Sequence, residues 1–148
     1  MDMSVAALLA FSCALWAQAP LLPATPPPRR LPRAIVRALA PAELLLNLEL
    51  PSGARLDAKT PLRYSVIETR GAIVLDMGTR RGEVLKPKLP LKILLRAPEG
   101  LSEVTLYVGF SLCETPDACR PHEGRYSMVL EGRKGYRRTK VPVSIAAD

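Results

Sequence analysis

Cys113 and Cys119 are the residues whose type and spacing can do chemistry in this chain. Between them lies Glu114-Thr115-Pro116-Asp117-Ala118, and Pro116-Asp117 is turn chemistry. The two cysteines therefore flank the tip of a hairpin whose turn brings the thiols together as a disulfide. A bond closing so short a loop stabilises a fold by about 2.4 kcal/mol on the loop-entropy estimate. That modest staple leaves two roles open, a structural bond and a pair that exchanges disulfides. Arg120 and His122 offer to stabilise a thiolate, whereas Glu114 and Asp117 oppose one. Two thiols at this spacing lack a second pair of ligands, and His122 is the single histidine, so no metal is expected.

Other catalytic signals are thin. There is no Gly-x-Ser-x-Gly, and no glycine-rich loop joins a strand to a helix. Carboxylates such as Asp57, Glu68 and Asp76 are scattered among turns and strand ends. No cofactor is expected, and enzyme activity, if any, would be thiol:disulfide interchange. The chain carries a formal charge of +7. Arg133, Lys134, Arg137, Arg138 and Lys140 gather around Gly135 and form the candidate contact for an anionic partner. The plainer account of these five is a solvated surface. Nucleic acid is excluded as a partner, because no aromatic stacking platform accompanies the basic residues.

The N-terminus bears on where these groups act. Val5 to Trp16 is a run of twelve small and apolar residues ending in Ala17-Gln18-Ala19. It suits a signal peptide, residues 1–19, and is shorter than the ~20 residues a membrane span needs. Its removal takes away Cys13, the only tryptophan (Trp16) and the charge of Asp2, so +7 becomes +8. The mature chain would be periplasmic or extracellular, would keep no transmembrane span, and would hold an even pair of cysteines, which favours a disulfide. Residues 20–41 read as a Pro/Arg-rich tether, with six prolines between Pro20 and Pro32. Residues 33–40 within it could make a short helix with Ile35 and Leu39 on one face, stopped by Pro41.

Residues 42–148 read as the folded domain. Strands are expected over 44–50, 62–68, 71–75, 89–96, 103–113, 125–130 and 140–145. The clearest is 103–113, where Val104, Leu106, Val108, Phe110 and Leu112 alternate with smaller or polar residues. Seven short strands with frequent turn signals and no long helix predict an all-β sandwich with a core of Leu, Val and Ile.

Phe110-Ser111-Leu112-Cys113-x5-Cys119-Arg120-Pro121 on this alternating strand resembles the cysteine hairpin of the amino-terminal periplasmic domain of the DsbD thiol:disulfide interchange protein. The chain is also similar to the β-stranded carboxy-terminal domain of NHL-repeat, thioredoxin-containing proteins. There a Leu-Asn-x-x-x-Pro-Ser segment precedes the strands, as Leu46 to Ser52 does here, and a Val-Pro-Val strand closes the domain, as Val141 to Val143 does here. The sequence departs from the DsbD pattern at Ser111-Leu112, where that family has Gln-Gly, and at Arg120, where it has an aromatic. The resemblance implies an immunoglobulin-like fold and, in the DsbD case, a cysteine pair that exchanges disulfides with protein partners. Two functions follow. The first is an exported protein-interaction module with a disulfide-bonded hairpin. The alternative is a thiol:disulfide exchange module in which Cys113 and Cys119 work with an external thioredoxin-like partner.

Overall fold

A computed structural model describes residues 25–76 and 78–147. The signal segment, and the tether up to residue 24, lie outside the described residues. The rest is all β, in two sheets. In chain order the strands are β1 Arg29–Arg30, β2 Ala34–Arg37, β3 Pro41–Glu49, β4 Arg55–Leu56, β5 Leu62–Arg70, β6 Val74–Leu75, β7 Arg81–Val84, β8 Leu91–Arg96, β9 Gly100–Thr115, β10 Ala118–Arg133 and β11 Lys140–Ala146.

The larger sheet runs β1-β10-β9-β5-β7, with β2 also on β10 and β4 also on β9; the smaller runs β11-β3-β8-β6. One apolar cluster lies between them. It takes Leu44, Leu46, Ile93, Val143 and Ile145 from the smaller sheet and Leu62, Val104, Leu106, Leu112 and Leu130 from the larger. These are alternate residues of their strands, so period-two sequence delivers one apolar face per sheet and the two faces bury each other. The sandwich and its aliphatic core are as the sequence predicts. Among the described residues no helix is long and apolar enough to cross a membrane.

Three expectations need correcting. The short helix over 33–40 does not form: Ala34–Arg37 is a strand, paired in parallel with Leu130–Arg133. Its apolar residues gain more by lying on the sheet edge, where Val36 becomes fully buried. Pairing also reaches into the proline-rich segment, where Arg29–Arg30 lies along Tyr126–Ser127. The expected strand 71–75 shrinks to Val74–Leu75, because Gly71 adopts a positive φ of 87° and turns the chain against Ser102. Finally, the strand expected to begin near Arg125 begins at Ala118. The turn between the two 16-residue strands is therefore a two-residue tip, Pro116-Asp117.

Candidate functional site

A β-bulge places the cysteines. At the tip Thr115 pairs with Ala118, and the next rung is Cys113 with Cys119. Glu114 is left as the extra residue. Without that insertion Cys119 would oppose Glu114, and the two sulfurs would point to opposite faces. With it they share a rung and a face, and they are joined as a disulfide with their Cα atoms 4.0 Å apart.

The two halves of the bond are not equivalent. Cys113 is 4% exposed, because β4 lies alongside and Arg55 pairs with it. Cys119 is exposed, on the far side of the hairpin from β4. The chain thus offers one sulfur to a visitor and keeps the other covered.

Strand alternation sorts the neighbours. Leu112, Phe110 and their partners Arg120 and His122 follow the opposite face from the disulfide rung. His122 is therefore neither a solvated loop residue nor a companion of the sulfurs. It sits within β10, its ring stacked on Phe110 at 5.4 Å between centroids, with Nε2 buried and unpartnered among the described residues. Arg120 is engaged too, donating from Nη2 to Glu114 Oε1 at 3.2 Å. Neither candidate for thiolate stabilisation keeps the role that chain proximity suggested.

A carboxylate stands there instead. One carboxylate oxygen of Asp57 and the sulfurs of Cys113 and Cys119 all lie within 4.8 Å of one another. The Asp57 backbone N–H donates to the Ser111 carbonyl at 2.9 Å, which ties the end of β4 to β9 two residues before Cys113. Its side chain is held in an Asx turn. Oδ1 accepts from the Lys59 N–H at 3.0 Å and Oδ2 from the Thr60 hydroxyl at 2.8 Å. The Lys59 N–H foremost, then the Thr60 hydroxyl, pull the Asp57 carboxyl below its ordinary range, so it stays ionised. Asp57 is a turn carboxylate at a strand end, as the sequence indicates, and it stands beside the two sulfurs as well. An Asp-x-Lys-Thr turn before a strand was visible in the sequence, but nothing local pointed it at cysteines more than fifty residues on.

The same face continues along β9 through Ser111, Gly109 and Tyr107. The small residues leave a shallow depression of about 200 Å³ whose walls include Thr60, Pro61, Arg63, Tyr107, Pro121 and Glu123. Burial first, then the charge of Glu123, push the Tyr107 hydroxyl up.

The basic residues occupy the far end of the hairpin. Arg133 closes β10, Lys134, Arg137 and Arg138 follow in the connection, and Lys140 opens β11. Arg133 is committed to Glu131, with Nε on Oε1 at 3.0 Å. Arg33 bonds the same carboxylate, and the two guanidiniums hold Glu131 low, Arg133 contributing more. Lys134, Arg137, Arg138 and Lys140 are exposed. The signal missed in sequence is the tether's contribution. β2 brings Arg37 opposite Arg133, and the Arg37 N–H donates to the Arg138 carbonyl at 2.9 Å. Retention on an anionic matrix should therefore fall when Arg137→Glu/Arg138→Glu is introduced, and salt should weaken retention of the wild type. Equal elution of both proteins would leave these residues a solvated surface.

Compared with protein-family models the chain matches none, and a comparison with curated proteins likewise gives no match.

Proposed function

We propose that this is an exported β-sandwich module that meets a protein partner at its hairpin tip and exchanges the Cys113–Cys119 disulfide with a thioredoxin-like dithiol. The observation that carries the reading is the one-sided access to the bond, with Cys119 exposed and Cys113 at 4%. Exchange requires a thiolate to approach one sulfur while the other departs. On this reading the exposed Cys119 is the sulfur attacked and the covered Cys113 the leaving group. A ceiling of about 2.4 kcal/mol on what the bond adds to the fold is compatible with the same reading. The ladder from Gly100–Gly132 up to Thr115–Ala118 already aligns the two strands, so a disulfide at its tip has little left to hold. The depression farther along the hairpin, between Thr60, Tyr107 and Pro121, offers a partner a footing. The resemblance to the DsbD amino-terminal domain, and the signal-like start of the chain, agree with exchange in an oxidising compartment.

The competing reading is a purely structural bond, and the reduction potential separates the two. Equilibration of the folded protein with thiol buffers should give a value near about −200 mV for an exchanging pair. A value below about −300 mV would assign the bond to structure.

A further inference from the structure

We propose that Asp57 decides which thiols can open the Cys113–Cys119 bond: its carboxylate is a fixed negative charge beside both sulfurs that holds off small anionic thiolates. Three observations place it. The backbone bond to Ser111 and the turn bonds from Lys59 and Thr60 leave the carboxylate no freedom to swing away. One of its oxygens and both sulfurs lie within 4.8 Å of one another. No ion pair neutralises it among the described residues, since Arg120, the cation nearest along the hairpin, is spent on Glu114 at 3.2 Å. Two cations share the segment: Arg55, on the rung and face of Cys113 but in no ion pair with Asp57, and Lys59, whose charge acts on the carboxylate less than its backbone N–H does; Asp117 lies at the hairpin tip.

The chemistry gives that charge its effect. A thiolate attacks the sulfur of Cys119, a new S–S bond forms, and the Cys113–Cys119 bond breaks. The electron pair leaves on Cys113, which then takes a proton from water. A second thiol of the reductant, once deprotonated, attacks the mixed disulfide at the reductant's own sulfur and releases Cys119. In sum a dithiol is oxidised to a disulfide, and two electrons and two protons pass to the cysteine pair. One negative charge moves through the three sulfurs of the first transition state and comes to rest on Cys113, facing Asp57 all the way. Two unit charges at this separation slow such a step about fourfold even at the dielectric of water, and more where the site is partly dry. A partner protein that brings an N–H or a cation to the carboxylate lifts the penalty, whereas a free small thiol does not. The carboxylate therefore separates the docked partner from bulk thiols.

The inference rests on the exchange reading for its partner, but its test needs no partner. Reduction of the oxidised, folded full chain is followed with glutathione, whose thiolate form is a net anion, and with cysteamine, whose ammonium offsets its thiolate. Asp57→Asn and Asp57→Ser both remove the charge and keep a turn-forming side chain. Either should be reduced by glutathione about fourfold faster than the wild type or more. The gain should be smaller with cysteamine, and it should shrink as salt is raised. Asp57→Glu should return the slow rate. Neutral variants that glutathione reduces no faster than the wild type would overturn the proposal. A failed search for a partner alongside faster reduction of the variants would remove the exchange reading and leave the guard in place.

Discussion

Leu106→Ala is expected to destabilise the domain by about 3–5 kcal/mol, the upper part of the range for emptying a core leucine site. Leu106 is 1% exposed in the middle of β9, on a rung with Tyr126 of β10 and Val66 of β5, and its side chain belongs to the cluster between the sheets. Its removal costs the transfer free energy of the lost methyl and methylene groups together with that of the cavity left behind. β10 is held in register beside it, while β5 bulges between Val66 and Glu68, so collapse around the void is limited on the β10 side. A domain of this size has a total stability of about 5–15 kcal/mol, so the variant loses a large share of it. Urea titration of the oxidised protein measures the effect. Under the same conditions the Cys113→Ala/Cys119→Ala protein should remain folded and lose no more than about 2.4 kcal/mol, the loop-closure limit. A leucine variant that loses less than the double cysteine variant would contradict a fold held by the inter-sheet core.

The ordering of these two effects matters for function. A bond that contributes modestly to stability can open and close without unfolding its host. The sandwich supplies a stiff frame, the 16-residue strands β9 and β10 carry the tip, and the short strand β4 covers one sulfur from the side. The unequal exposure of the pair is thus a product of topology rather than of cysteine chemistry alone.

Much of this was legible in the order of residues, and the failures share one cause. The alternation from Val104 to Leu112 fixes β9 without help, since a period of two over five apolar positions has no other use than one buried face. The spacing of Cys113 and Cys119 around Pro116-Asp117 likewise places a disulfide at a turn. What stayed hidden depends on partners distant in sequence. Ala34–Arg37 is a four-residue Ala-Ile-Val-Arg run set between Pro32 and Pro41, too short to read as a strand until β10 presents an edge for it to pair with. The face on which His122 lies follows from the bulge at Glu114, a shift of one residue that spacing cannot reveal. Asp57 reaches the sulfurs because its backbone bonds to Ser111, a contact across more than fifty residues that leaves no mark on the local pattern.

The account turns on whether Cys119 is attacked by a partner, and one trapping experiment asks this directly. Cys113→Ala removes the covered sulfur, the one that would otherwise resolve or leave, and keeps the exposed Cys119. A mixed disulfide formed at Cys119 then has no internal thiol to release it and accumulates. Non-reducing gels of cells exporting this variant should show a higher-mass adduct that dithiothreitol removes. Mass spectrometry of the adduct should identify the partner cysteine in a thioredoxin-like protein. Cys119→Ala, whose remaining sulfur belongs to a buried residue beside β4, should give little or none. Absence of an adduct from the Cys113→Ala protein, or equal trapping by the two single variants, would contradict exchange through an exposed Cys119.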